Sequence, residues 1–132
     1  MALETPGLVE SVAMPPLASR FIEVDDLPWK PTPVPGIDMK ILVQDKETGL
    51  LTALFRWEPG TELPLHEHVE IEQTWVLSGS IVDAEGEVGP GQFVWRPAGN
   101  RHVARAPNGA LVLCLFLTPN RFIKAFGGAT LE

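Results

Sequence analysis

The chain has one cysteine, three histidines, no cluster of basic residues and no long apolar run, and each scarcity removes a class of protein. With Cys114 alone, an intramolecular disulfide is impossible and a cysteine-rich zinc site is excluded. Set inside an apolar run, that thiol reads as a small core hydrophobe, and the cytoplasm is its expected compartment. The longest apolar run, 110–117, has the length of a buried strand, well short of the roughly 20 residues that span a bilayer. Ten Lys and Arg stand against 17 Asp and Glu, a net charge of −7, which repels phosphate backbones and anionic membranes. Nucleic acid and membrane are therefore not expected partners. The first residues include Glu4 and Glu10 and no basic stretch, unlike a secretory signal. No segment carries a sustained helical stripe, and there is no internal repeat.

What is present is a 132-residue chain, 45% apolar, enough for one domain with a real core. Residues 1–36 read as an extended N-terminal arm, rich in proline and ending in the strap Trp29-Lys30-Pro31-Thr32-Pro33-Val34-Pro35-Gly36. Alternate prolines keep such a strap out of a central ladder, so it should lie on the outside of a sheet or against a neighbour. Residues 37–132 read as short strands parted by turns: 37–43, 50–57, 71–77, 81–84, 92–95 and 110–117, with a last strand or short helix in 121–126. Many short strands at regular spacing indicate an all-β sandwich or barrel.

All three histidines fall in two glycine-punctuated segments. The first runs from Gly60 through His66, His68 and Glu72 to Gly79. The second runs from Gly91 through Pro97 and Gly99 to His102. Histidine used this sparingly and grouped this way points to a metal. On extended backbone, His66 and His68 face the same side, and Glu72 shares that parity if the strand is regular. A strand pair would then bring His102 alongside. Three imidazoles and a carboxylate, with no thiolate, suit one Fe(II), Mn(II), Ni(II) or Zn(II) ion per chain.

The segments resemble the two motifs of the cupin family, G-x5-H-x-H-x3-E-x6-G and G-x5-P-x-G-x2-H-x3-N. Nine fixed positions fit, and Ala106 stands where asparagine is usual. The resemblance implies a jelly-roll β-barrel of two packed antiparallel sheets. It also implies a metal held by His66, His68 and His102, with Glu72 either on the metal or behind a ligand, holding a water or a histidine. Thr74, Val76 and Ala104 follow the candidate ligands on the same faces and are candidate pocket lining. Arg96, Arg101 and Arg105 gather near His102, as an attraction for an anionic substrate or as a solvated rim. Trp57, Trp75 and Trp95 are expected on outer sheet faces or at a dimer seam.

The runs Asp26 to Pro31 and Leu54 to His68 narrow the resemblance. They are similar to the cupin branch that holds acetylacetone dioxygenase, 2,4'-dihydroxyacetophenone dioxygenase and the cupin domain of zinc-dependent anti-sigma factors. This branch implies an Fe(II) dioxygenase cleaving a carbon–carbon bond of a small β-diketone or α-hydroxyketone, with O2 as co-substrate. A metal-bearing sensor without turnover and an isomerase of sugars or keto acids are the alternatives. A homodimer is expected, with the arm and strap covering strand edges.

Overall fold

Apolar and polar residues alternate along the strands, and the alternation decides which side each buries. In Leu51–Trp57 the side chains of Leu51, Ala53, Phe55 and Trp57 are buried, and in Ala110–Phe116 those of Ala110, Val112, Cys114 and Phe116. Phe55 and Phe116 meet edge to face, ring centres 6.0 Å apart. The computed structural model describes residues 3–8 and 15–122.

In chain order the strands are β1 (Leu3–Glu4), β2 (Lys30–Pro31), β3 (Ile37–Asp45), β4 (Leu51–Trp57), β5 (Thr61–Glu67) and β6 (Glu72–Gly79). They continue as β7 (Ile81–Val82), β8 (Glu87–Val88), β9 (Phe93–Arg96), β10 (Arg101–Ala106), β11 (Ala110–Phe116) and β12 (Arg121–Phe122). One sheet has the order β1-β3-β4-β11-β6-β9, with β2 also on β3, and the other has β12-β5-β10-β7-β8. All pairings are antiparallel, and β11 returns from far along the chain to sit between β4 and β6. Apart from one 3-10 turn at Val24–Asp26, no helix occurs among the described residues. The fold is the all-β jelly roll that the sequence indicates. None of the described helices is long and apolar enough to cross a membrane.

The last glycine of the first motif serves this architecture. Gly79 has φ +70°, and a Cβ there would collide with the Gly109 carbonyl oxygen and lie 2.7 Å from the Ala110 Cα. The bare backbone lets β6 run flush against β11. Ala106, at the place of the usual asparagine, is fully buried, and its carbonyl accepts the backbone N–H groups of Gly60 and Gly109.

The described parts of the arm lie on the chain's own sheet. Leu3 and Glu4 pair with the end of β3, and the Thr5 hydroxyl donates to the Leu42 carbonyl at 2.7 Å. Lys30 and the strap's Pro31 form a two-residue edge strand on β3, where a missing N–H is tolerated. Trp29 lies under Lys40 and Arg56, whose charged ends sit 4.8 and 4.2 Å from its ring centre. Trp57 points into the core, whereas Trp75 and Trp95 stand on the outer face, 50% and 60% exposed. Of the expected terminal element, Arg121–Phe122 is a strand, and 123–126 lie outside the described residues.

Candidate metal centre

Strand pairing brings the two motifs together. His66 in β5 lies directly opposite His102 in β10, both facing inward between the sheets. The ladder shifts register between His102 and Ala104, a bulge beside the candidate ligand of the kind that re-aims a side chain. His68 sits one residue beyond β5 and is held by the turn of the second motif. Its N–H donates to the Asn100 carbonyl at 2.8 Å, and its carbonyl accepts the Gly99 N–H at 2.7 Å. The imidazole centres are 4.4 to 4.9 Å apart, and one ring nitrogen from each residue lies within 4.8 Å of the others.

Each ring is oriented from behind by a different acceptor. His66 Nδ1 donates to the Pro64 carbonyl at 2.8 Å, and His102 Nδ1 to the Asp83 carboxylate at 2.7 Å. His68 Nδ1 lies 2.5 Å from the Glu72 carboxylate. With the Nδ1 atoms so engaged, the Nε2 lone pairs are left as the ligand set. His68 Nε2 is fully buried and has no hydrogen-bond partner, an orphaned polar atom that a cation would satisfy. Burial lowers the pKa of His66 to about 4, with nearby His102 adding to the effect, and burial followed by the charge of Arg96 lowers that of His102. Both imidazoles are therefore neutral near pH 7, the form that binds a metal. The donor set fits a divalent transition metal.

Glu72 stands behind His68 rather than among the converging nitrogens. Burial pushes its carboxyl up, but the hydrogen bond to His68, the charges of His68 and His66 and the bond from Thr74 outweigh this and bring it down to about 2. The Thr74 hydroxyl donates to it at 2.9 Å and the Asn120 amide at 3.2 Å. Thr74 and Ala104 line a chamber of about 40 Å³ beside the histidines, while Val76 is packed in the core and does not reach it. Cys114 also lines the chamber, 3.4 Å from the Thr74 oxygen; burial and then the charge of Glu72 raise its pKa, so it is a thiol.

Asp83 is a site residue that strand reading alone did not reveal. Its side chain is 2% exposed; one carboxylate oxygen takes His102 Nδ1 and the Arg96 guanidinium (2.8 Å), the other the N–H groups of Glu85 and Gly86. The only sequence signal was an Asp next to a turn, Asp83-Ala84-Glu85-Gly86. The three arginines part company. Arg96 turns inward to Asp83, Arg101 pairs with Glu67 at 3.0 Å, and Arg105 is exposed. Glu67 also takes Arg121 at 2.8 Å, and Glu70 is exposed, so neither joins the centre.

A jelly roll that converges three anchored imidazoles between its sheets is a cupin. Within that class, residues 18–120 match the model of the ChrR cupin-like domain, and the chain belongs to that family. Among solved structures, it is similar to a protein of Methylibium petroleiphilum provisionally described as an acetylacetone dioxygenase. The TM-score is 0.74 at 22% identity, over 92% of this chain and 91% of that one. It is likewise similar to an acetylacetone dioxygenase of Acinetobacter johnsonii, with TM-score 0.73, 19% identity and coverage of 92% and 89%. The anti-sigma factor ChrR of Rhodobacter sphaeroides, solved with SigE, matches with TM-score 0.61 and 22% identity, over 71% of this chain and 51% of that one. At these identities the likenesses show the fold. No curated protein sequence matches the chain significantly.

Proposed function

We propose that this protein is a metal-dependent enzyme, a non-haem Fe(II) dioxygenase cleaving a carbon–carbon bond of a small β-diketone or α-hydroxyketone. The observation that carries the reading is the set of three converging imidazoles, each backed at Nδ1 by an acceptor, with His66 and His102 on the wall of the small chamber. When bound, iron would supply Lewis acidity toward a dicarbonyl and a route to O2 chemistry. The chain's own part is to hold the ligand rings, exclude water and position the substrate. Pro64, Glu72 and Asp83 fix the rings, so little reorganisation is needed on binding. Leu63, Ile81, Val88 and Val94 give the chamber apolar walls. Among its lining, Glu72 is committed to His68 and Thr74, and Cys114 holds its proton, so no free strong base faces a substrate. A β-diketone suits such a site because it enolises readily without one. The Acinetobacter johnsonii acetylacetone dioxygenase, of the same fold, supports the chemistry.

A second reading is a metal-bearing sensor without turnover, supported by the match to the ChrR cupin-like domain and the fold shared with the anti-sigma factor ChrR. Protein purified anaerobically should contain near-stoichiometric iron, lost in a His66→Ala/His102→Ala double variant, and should consume O2 with one of a panel of dicarbonyls. Tightly held zinc with no O2 uptake after iron reconstitution would move the assignment to the sensor. As partners we propose a small-molecule substrate, O2 and a second copy of the chain, the last supported by the exposed Trp75 and Trp95; a sedimentation coefficient of monomer size would exclude the dimer.

A further inference from the structure

The chamber beside the histidines holds only about 40 Å³, so a dicarbonyl bound there must extend out through one of its sides. Packed chain occupies three of its flanks. Phe122, 2% exposed, lies 5.8 Å from the His66 ring centre and covers that end. The Pro97–Asn100 turn is hydrogen-bonded to His68, and the β6–β11 pair forms the floor. On the fourth side the free edges of the two sheets, β8 and β9, leave a surface groove of about 530 Å³. Groove and chamber share three walls: Val88, Val94 and Arg96. Another surface depression also touches His102, but it runs beside exposed Val103 and Arg105 and shares no other wall with the chamber.

We propose that the β8–β9 groove is the ligand entry route and that Arg96 is its specificity-determining residue, selecting small monoanions such as enolates or short carboxylates. The proposal rests on the metal assignment above, but not on dioxygenase turnover. Arg96 lies at the boundary, its side chain 10% exposed, tied to Asp83 at 2.8 Å and to the exposed Glu85 at 3.6 Å. A guanidinium offers five N–H donors in a rigid fork, and both ion pairs of Arg96, with Asp83 and Glu85, run through the same nitrogen, Nη1. Charge balance points the same way. With a divalent ion on three neutral imidazoles, the buried groups alone, the carboxylates of Glu72 and Asp83 and the guanidinium of Arg96, leave one net positive charge, while Glu85 stands 66% exposed in solvent that screens it. One monoanion cancels it; without Arg96 the site would be neutral before any ligand arrived, and an anion would gain little. Val88 and Val94 complete the neck with apolar surface, which favours a ligand with a short hydrocarbon body.

The test uses the full chain loaded with Co(II), its visible absorption bands reporting ligand binding to the metal. Wild type, Arg96→Gln and Arg96→Lys are titrated with azide, a small monoanion, and with imidazole, a neutral ligand. The Gln variant should weaken azide at least about tenfold and leave imidazole within about threefold, and the Lys variant should keep azide within about threefold. Equal changes for both ligands, an unchanged azide affinity in Gln, or a Lys variant as weak as Gln would overturn the selectivity. A Val94→Phe variant tests the route without touching Arg96. With the Co(II) spectrum unchanged, both ligands should associate at least about tenfold more slowly in stopped flow, and unaltered rates would refute entry through the groove. Wild type that binds azide in this way yet shows no O2 uptake with any dicarbonyl would sink the proposed reaction and leave the entry route standing.

Discussion

At the scale of single residues, Asp83 has the most to lose. It holds His102 through Nδ1 and neutralises the guanidinium of Arg96 with the same carboxylate oxygen. Asp83→Asn should lower metal affinity about 10- to 100-fold, because the Asn oxygen stays on the Glu85 and Gly86 N–H groups and the amide turns its NH2 toward His102, whose ring loses the acceptor that fixes its tautomer and angle. It should also destabilise the metal-free protein by up to about 3 kcal/mol, since Arg96 is left with only the exposed Glu85 as counter-charge. Competition with a chromophoric chelator measures the first and urea unfolding the second; an affinity within about twofold of wild type would show that Asp83 does not position the ligand. The histidines were legible in the sequence because their spacing fixes which way they point along a strand. Asp83 was not, because it reaches the centre from the turn after β7, the strand beside β10, and local periodicity carries no information about partners on a neighbouring strand. Glu72 was legible as the motif carboxylate, with its place on the metal or behind a ligand left open. Its place behind His68 depends on where β5 ends and β6 begins, and the strand is interrupted between Glu67 and Glu72.

Elements were read more successfully than their neighbours. Glycine and proline turns marked β3, β4, β6, β7, β9 and β11, whereas β5 and β10 entered only through the histidine spacing and β8 not at all; the pairing of β11 with both β4 and β6 could not be read from adjacent residues, since each partner is distant in the chain. The strap was expected outside the sheet or against a neighbour, and its Pro31 lies at the edge of the chain's own β3. The motif glycines separate by what surrounds them. Gly79→Ala would press a Cβ into the backbone of β11 as well as hold φ at +70°, and should cost about 2–4 kcal/mol. Gly60 has φ +83° but open space around it, so Gly60→Ala should cost only about 1 kcal/mol. Urea midpoints of the two variants check the order; equal losses would mean that β6 and β11 can part without penalty.

For the molecule as a whole, the buried histidine couples stability to acidity. The unfolded chain takes a proton at His66 near pH 6.5, the folded metal-free chain only near 4, so between these values the unfolded state holds more protons. Stability present above pH 6.5 is therefore lost as pH falls toward 4, by up to about 3 kcal/mol. Glu72 acts in the same sense lower down, its contribution present above about 4.5 and lost toward 2. Thermal melts of metal-free protein should show a falling Tm from pH 7 to 4, and a flat Tm across that range would contradict the burial of His66. Metal at saturating concentration should raise Tm near neutrality, because it binds the folded state alone. The facing of His66 and His102 across the β5–β10 ladder has a consequence for assembly. A slip of one residue would set Arg101 or Val103 opposite His66 and leave the centre one ligand short. Tight metal uptake thus proofreads strand alignment, and the metal content of a refolded preparation counts the molecules whose two motifs found each other correctly.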